Sequence, residues 1–99
     1  MELSRERLAR LEGLYVPALY STTIDLRGRE RQEAIDEVDQ FLDRAVLGGV
    51  QEIKIIHGVG EGILLKAIRE MLSGDPRVAE WRGGGQGEGG IGVTFARLK

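Results

Sequence analysis

A histidine followed by three alternating glycines lies near the middle of the chain. Residues 57–62 read His-Gly-Val-Gly-Glu-Gly, between the apolar run 53–56 and a helical pattern that begins near residue 63. Alternating glycines let backbone N–H groups approach a ligand closely, and the first turn of a helix adds unpaired donors and the positive end of its dipole. Histidine can give or take a proton near neutral pH. The segment predicts a site that binds a phosphate and could act on a phosphodiester.

The spacing of these glycines separates the segment from known nucleotide-binding loops. Gly58, Gly60 and Gly62 fit G-x-G-x-G, whereas dinucleotide sites require G-x-G-x-x-G and the P-loop ends in Lys-Ser/Thr. We therefore expect no nucleotide cofactor. The structural alternative is a strand-to-helix turn that binds nothing, since such turns also need glycine at positive φ. For His57 the corresponding alternative is a hydrogen bond to a backbone carbonyl.

A second group of residues that could do chemistry precedes a glycine at position 28. Asp25 interrupts an apolar strand, and alternation turns it away from its neighbours Ile24 and Leu26. A carboxylate near the end of a strand is either an exposed surface group or a place for chemistry or helix capping. Arg27, next to Gly28, supplies a cation that could hold a phosphate.

The distribution of charge carries more information than its total. The formal net charge of −2 argues against a general nucleic-acid binder, whose surface is usually strongly basic. Carboxylates concentrate in one predicted helix, where they are expected to form its solvated face. Cations instead flank the turns where a phosphate would lie: Arg27, Arg29, Arg31 and Arg82, with Lys66 in the second predicted helix.

Hydrophobic periodicity and turn residues divide the chain into six elements. The helices have apolar residues at three- and four-residue steps, and the strands are rich in β-branched residues or alternate. Gly48 and Gly49 end the first helix, whereas Gly74 and Pro76 stop the second. The predicted order is a strand at 21–26, a helix at 30–47, a strand at 52–56, a helix at 63–72, and strands at 77–82 and 91–98.

This order predicts an α/β two-layer sandwich, with a four-stranded mixed sheet (β-α-β-α-β-β) and two helices packed on one face. Right-handed crossovers make the first three strands parallel, and a hairpin makes the last one antiparallel. The carboxyl ends of parallel strands share one edge of the sheet. Asp25, Arg27, His57 and Arg82 are therefore expected to meet at that edge. The glycine-rich segment 83–90 is expected to be mobile unless a ligand holds it.

Size and composition favour a single domain at residues 21–99, preceded by an N-terminal arm or linker at 1–20. No apolar run is long enough to cross a membrane, and the charged first residues do not fit a secretory signal. The absence of cysteine excludes disulfides and thiolate metal sites and agrees with a reducing compartment. We expect a cytoplasmic protein with no membrane partner.

Three motifs in register resemble the signature of the Smr (small MutS-related) domain. They are Ile-Asp-Leu-Arg-Gly at 24–28, His-Gly-Val-Gly-Glu-Gly at 57–62 and Gly-Gly-Ile-Gly-Val-Thr at 89–94. The similarity covers residues 21–99 and is greatest to the carboxy-terminal domain of the bacterial second-type MutS proteins. It implies a two-layer α/β fold and endonuclease activity on DNA, RNA or both, with links to ribosomes and to recombination control.

The resemblance also implies which residues form the site. The acidic and basic residues of the first motif correspond to Asp25 and Arg27, and the second motif corresponds to His57, Gly58 and Gly60. The chain departs from the family pattern at Val59 and Leu65, where relatives often carry lysine and arginine. Arg29, Arg31 and Lys66 are the cations that could compensate.

The resulting hypothesis is metal-independent cleavage of a phosphodiester, without a cofactor. Arg27 and the backbone of residues 58–62 would hold the phosphate, and His57 would move a proton. Asp25 would orient His57 or activate the attacking hydroxyl. A two-metal nuclease gathers several carboxylates, whereas this edge offers only Asp25, with Glu61 as a second candidate. The alternative is a non-catalytic module that binds branched DNA or ribosomal RNA through the same surface.

Overall fold

The computed structural model describes residues 21–99 of the chain. It contains four strands, β1 (Thr23–Asp25), β2 (Glu52–Ile56), β3 (Val78–Gly83) and β4 (Val93–Leu98). Two helices, α1 (Arg31–Leu47) and α2 (Ile63–Ser73), connect the first three strands, and a short 3-10 turn at Gly90–Gly92 precedes β4. The predicted order of elements is confirmed, and all of their bounds agree within two residues.

The four strands form a single mixed sheet in the order β1-β2-β4-β3. β1 pairs with β2 in parallel, and β4 pairs antiparallel with both β2 and β3. The predicted strand directions are therefore confirmed. The position of β4 between β2 and β3 was not predicted from the sequence, and it places the third motif of the chain directly beside the end of β2.

Both helices pack on one face of this sheet, so the predicted two-layer sandwich is confirmed. The buried core between the layers includes Val38 and Leu42 from α1, Ile68 from α2, and Ile53 and Ile55 from β2. Side chains alternate along a strand, so residues between these core positions point to the opposite, open face of the sheet. The core thereby fixes which strand residues face the helices.

Local interactions set the beginning of each helix. The carboxylate of Glu30 accepts a hydrogen bond from the N–H of Glu33, whose own carboxylate accepts from the N–H of Glu30, a reciprocal capping box. α2 begins differently: Gly62 precedes it in the left-handed region with φ of +85° and provides no side-chain cap. The N-terminus of α2 therefore presents its backbone donors without a capping side chain.

The glycine-rich segment between β3 and β4 contains its own hydrogen bonds. The N–H of Gly84 donates to the carbonyl of Val93 over 3.0 Å, and the N–H of Gly85 donates to the carboxylate of Glu88 over 2.8 Å. The same carboxylate receives the guanidinium of Arg82. Glu88 thus ties the middle of the loop back to the end of β3.

Candidate nucleic-acid cleavage site

A cleft of about 320 Å³ opens where the carboxyl ends of β1 and β2 meet the N-terminus of α2. Its lining consists of Arg27, Gly28 and the continuous segment 57–64. Two motifs that are separated by about thirty residues in the chain therefore form one concave surface. Its volume lies at the lower end of the range typical for small-ligand sites.

Close packing at Gly58 joins these two motifs. Gly58 has φ of +76°, and a Cβ atom at this position would lie 3.3 Å from Cγ of Arg27. The N–H groups of His57 and Gly58 both donate to the carbonyl of Gly92, over 3.1 and 3.0 Å. Glycine at position 58 thus allows the loop to pass between Arg27 and the third motif.

The backbone hydrogen bonds identify which donors of the loop remain for a ligand. The amide of Gly58 is bonded to Gly92, and that of Gly62 donates to the carbonyl of Val59 over 2.9 Å. Within residues 21–99, no backbone acceptor pairs with the amides of Val59, Gly60 and Glu61. These three amides, together with the first turn of α2, are the donors that could meet a phosphate.

Asp25 forms a two-pronged ion pair with Arg27 beside the cleft. Its Oδ1 accepts from Nε of Arg27 over 3.0 Å, and its Oδ2 accepts from Nη2 over 2.7 Å. The backbone N–H of Arg27 also donates to Oδ1, over 3.0 Å. These bonds, with the nearby charge of Arg29, lower the pKa of Asp25 to about 2. Asp25 was expected to orient His57 or to activate the attacking hydroxyl, whereas in the structure its carboxylate is bonded to Arg27 and orients that cation.

His57 lies in the wall of the cleft with only 4% of its surface exposed. Its Nδ1 is 2.9 Å from the carbonyl oxygen of Gly58, and its Nε2 is 2.8 Å from Oγ1 of Thr94. Burial lowers the pKa of His57 below its usual 6.5, and the positive charge of Arg69 lowers it further. The neutral form of His57 therefore predominates at pH 7.

The remaining predicted cations lie around the cleft rather than in it. Arg31 and Lys66 line a neighbouring cleft of about 290 Å³, which shares Ile63 with the first. Arg29 is paired with Glu37 at 2.8 Å. Both clefts meet at the start of α2, so a chain of phosphates could contact them together.

Arg82 does not line the cleft. Its guanidinium pairs with Glu88 at 2.8 Å and lies 4.4 Å from the ring centre of Phe95, on the open face of the sheet. The neighbouring Trp81 points to the helix face, where it packs against the core and donates from Nε1 to Oγ of Ser73 over 2.8 Å. Alternation along β3 explains why Trp81 packs against the core whereas Arg82 lies on the open face.

Two residues near His57 were not assigned a role from the sequence. Thr94 belongs to the third motif but carried no predicted function, and Arg69 lies in α2 within an ordinary amphipathic pattern. The structure brings both to the Nε2 side of His57, where Nε of Arg69 donates to Oγ1 of Thr94 over 2.9 Å. Only the insertion of β4 beside β2 creates this contact.

Clusters of metal-ligating side chains and membrane-spanning helices are both absent from the described part of the chain. Residues 21–99 contain no group of three or more histidine, cysteine, aspartate or glutamate side chains arranged to hold a metal ion. None of the helices in this range is long and apolar enough to span a lipid bilayer.

Comparison with known proteins identifies relatives over the described domain. The Smr domain family model matches residues 24–99. A protein named endonuclease MutS2 from Clostridium botulinum is 50% identical over 78 residues, and one from Symbiobacterium thermophilum is 53% identical over 79 residues. These matches cover 79% and 80% of this chain. They cover 10% of each relative, so the chain spans about a tenth of their length.

Two solved structures share the fold. The crystal structure of the Smr domain of Thermus thermophilus MutS2 is 44% identical, with a TM-score of 0.77, and the match covers 78% of this chain and 96% of that one. YdaL from Escherichia coli, a stand-alone small MutS-related protein, gives a TM-score of 0.75 at 21% identity, over 99% of this chain and 78% of that one. The second likeness concerns the fold alone.

Proposed function

Because the chain belongs to the Smr domain family, we propose that its residues 21–99 form an endonuclease domain that cleaves phosphodiester bonds of DNA or RNA. The observation that carries the proposal is the single cleft in which Arg27 faces the glycine loop 58–62. Nuclease activity is named for the longer relatives. In bacteria, both substrates occur in the cytoplasm, and the proposal places the domain there.

Phosphate binding is the first step of the proposed reaction. The guanidinium of Arg27 is held in place by Asp25 and offers planar donors that match a phosphate. Across the cleft, the amides of Val59, Gly60 and Glu61 and the N-terminus of α2 supply neutral donors. Groups that are fixed in place before the reaction stabilise the charge that develops on the phosphate without reorganisation.

Asp25 acts in this proposal through Arg27 rather than as a base. A carboxyl with a pKa of about 2 is a very weak proton acceptor at neutral pH. Its two hydrogen bonds instead fix the plane of the guanidinium, and this plane decides whether the phosphate can be held by two parallel bonds.

His57 is the proposed proton-transfer group. Its neutral form is the one that can accept a proton from the attacking hydroxyl, which is water on DNA or the ribose 2′-OH on RNA. In the structure, Nδ1 lies 2.9 Å from the carbonyl oxygen of Gly58, which can only accept a hydrogen bond from a protonated Nδ1. Proton acceptance at Nδ1 therefore requires the other tautomer, with its proton on Nε2 facing the Thr94 hydroxyl.

Metal-independent cleavage is also part of the proposal. The cleft and its margin contain two carboxylates, Asp25 and Glu61, and both oxygens of Asp25 are already bonded to Arg27. Two-metal sites use several carboxylates whose oxygens are directed at the ions. The donor set at this cleft is better suited to holding an anion.

The test is cleavage of supercoiled plasmid and of single-stranded RNA, each with and without EDTA. We expect cleavage that persists in EDTA and falls strongly in Asp25→Ala, Arg27→Ala and His57→Ala. Arg97→Ala is the matched control, because Arg97 is an exposed arginine paired with Glu80 at the opposite end of the sheet. Full activity of the three cleft variants would refute the proposed site, and loss of cleavage in EDTA would refute metal independence.

A non-catalytic binding module is the second candidate function. Val59, an apolar residue that is 52% exposed, lies in the cleft lining, so the loop lacks a cation at this position. Such a domain would bind branched DNA or ribosomal RNA without cutting either. Binding that weakens steeply with salt, without strand cleavage after long incubation, would favour this candidate.

A further inference from the structure

We propose that Thr94 and Arg69 are positioning residues that hold His57 in one tautomer, with its proton on Nδ1, and thereby fix the Gly58 carbonyl at the cleft. Both residues lie outside the proposed catalytic set. Their structural role is independent of the proposed function, whereas their effect on oligonucleotide binding rests on the phosphate site of that function.

The carbonyl of Gly58 determines the state of the first ring nitrogen. A carbonyl oxygen can only accept a hydrogen bond, and it lies 2.9 Å from Nδ1 of His57. Nδ1 must therefore carry the proton. In a neutral imidazole, this leaves Nε2 as an acceptor.

The hydroxyl of Thr94 lies within hydrogen-bond distance of this acceptor, Nε2 of His57. Oγ1 of Thr94 is 2.8 Å from Nε2 and is completely buried, so its single proton has a well-defined partner in the ring. Nε of Arg69 donates to the same oxygen over 2.9 Å. Because arginine only donates, it occupies a lone pair of Oγ1 and favours the orientation in which the hydroxyl donates to His57.

Residues of α2 and β3 hold Arg69 in place. Its guanidinium lies 4.8 Å from the ring centre of Trp81, and the indole N–H of Trp81 donates to Oγ of Ser73 over 2.8 Å. Oγ of Ser73 donates in turn to the backbone carbonyl of Arg69 over 2.9 Å. The residues that keep the donor in place thus lie on α2 and β3, away from the cleft.

The consequence for the site is a directed series of hydrogen bonds from Arg69 through Thr94 and His57 to Gly58. Buried polar groups that lose a partner are costly, so each member is held by the next. The carbonyl of Gly58 is thereby turned toward His57, and the adjoining amides of residues 59–61 remain for the phosphate. The same series opposes the tautomer that His57 needs to accept a proton at Nδ1.

The single histidine of the chain makes the tautomer directly measurable. In a long-range ¹H–¹⁵N correlation spectrum of the labelled protein near neutral pH, the two ring nitrogens give distinct shifts. We expect a protonated Nδ1 and a bare Nε2. A proton on Nε2, or an equal mixture of the two tautomers, would overturn the inference.

Variants of Thr94 and Arg69 then test whether these two residues set the tautomer of His57. Thr94→Val removes the hydroxyl at similar volume, and Arg69→Met removes the donor at similar length. We expect both to give ring shifts intermediate between the two tautomers. Both should also bind a single-stranded oligonucleotide several times more weakly, because the Gly58 carbonyl and the adjoining amides of residues 59–61 are no longer fixed. Thr94→Ser restores the hydroxyl and should restore both readouts. Thr23→Val, at an exposed threonine of β1, is the matched control and should change neither.

The two readouts separate this inference from the proposed function. Wild-type protein that shows the expected tautomer but cuts no substrate would contradict the endonuclease and leave the positioning of His57 standing. An unchanged tautomer in folded Thr94→Val and Arg69→Met would refute the positioning role, whatever the binding result. If Thr94→Val does not fold, Arg69→Met and Thr94→Ser carry the test.

Discussion

The carboxylate of Asp25 accepts two hydrogen bonds from the guanidinium of Arg27, over 3.0 and 2.7 Å. Both side chains are largely open to solvent, with 46% of Asp25 and 64% of Arg27 exposed. Exposed ion pairs add little to folding stability, so this geometry is better explained by orientation than by stability. The backbone N–H of Arg27 joins the same carboxylate and closes a tight local turn. Arg27 is thus directed toward the cleft by its own neighbour two residues earlier.

Replacement of this carboxylate should therefore reduce activity without unfolding the domain. Asp25→Asn keeps the shape but removes the charge and one acceptor, and we expect cleavage to fall by about tenfold or more. The melting temperature should stay close to that of the wild type. With a pKa of about 2, Asp25 stays ionised above about pH 4, so it should add no inflection to the rate profile above that pH. Glu80→Gln, in the exposed pair with Arg97, is the control. Full cleavage by Asp25→Asn would contradict the orienting role.

The buried His57 should make the stability of the domain depend on pH. Burial lowers its pKa in the folded state below the ordinary value of 6.5. As the pH drops below 6.5, His57 is protonated in the unfolded chain but stays neutral in the folded protein. The free energy of unfolding therefore falls with pH in this range. From about one pH unit above 6.5, both states are neutral at this residue and its contribution no longer changes with pH.

Urea denaturation of the wild type and of His57→Gln at about pH 7.5 and about pH 5.5 measures this dependence. We expect the wild type to lose more stability than the variant between the two values, since the variant retains every other titrating group. Equal losses in the two proteins would show that His57 has the same pKa in the folded and unfolded states.

Gly58 combines a left-handed backbone with a close neighbour, and its replacement should therefore affect both stability and activity. Gly58→Ala places a Cβ at φ of +76° and 3.3 Å from Cγ of Arg27. The backbone conformation alone costs about 1–2 kcal/mol for a residue with a side chain. The added methyl group also displaces Arg27, so cleavage should fall further than the loss of stability explains.

Gly49→Ala provides the comparison for that variant. Gly49 has φ of +74° and lies just after α1, and a methyl group added there would meet no atom within 4 Å. We expect Gly49→Ala to lower the free energy of unfolding, measured by urea denaturation, by about as much as Gly58→Ala does, and to leave cleavage unchanged. If Gly58→Ala retains full cleavage, contact between the loop and Arg27 does not matter for activity.

Sequence patterns of short range predicted the elements of this fold well, because apolar periodicity and glycine turns act within a few residues. β2 was predicted at its observed bounds, and α2 within one residue. Such patterns could not predict side-chain contacts that depend on where β4 enters the sheet. β4 pairs with β2, and this pairing brings Thr94 to His57. His57, which was predicted at the edge of the sheet, is therefore almost completely buried.

Arg82 illustrates a second limit of prediction from the sequence. Its position at the end of β3 predicted a place at the edge of the sheet, but alternation sends its side chain to the open face, over Phe95. The acidic partner Glu88 lies in a glycine-rich segment whose pairing has no local pattern. Strand ends share an edge, whereas the direction of each side chain depends on the register with the neighbouring strand.

The apolar residue at position 59 should limit the affinity of the domain for nucleic acid. Val59 lies in the cleft lining and is 52% exposed, so a lysine at this position would place a cation near the bound phosphate without disturbing the core. We expect Val59→Lys to bind single-stranded oligonucleotides more tightly. The binding should also depend more strongly on salt: the slope of the logarithm of the binding constant against the logarithm of salt concentration should become about 0.7 more negative for one added phosphate contact.

A lysine far from the cleft distinguishes a local contact from a general change in charge. Val46, 44% exposed in the last turn of α1, lines a cleft with Lys99 at the opposite end of the sheet, and Val46→Lys adds the same charge there. If nucleic acid binds at the glycine loop, only Val59→Lys steepens the salt dependence measured by fluorescence anisotropy. Equal effects of the two lysines would mean that net charge, rather than the cleft, governs binding, and the proposed binding site would be wrong.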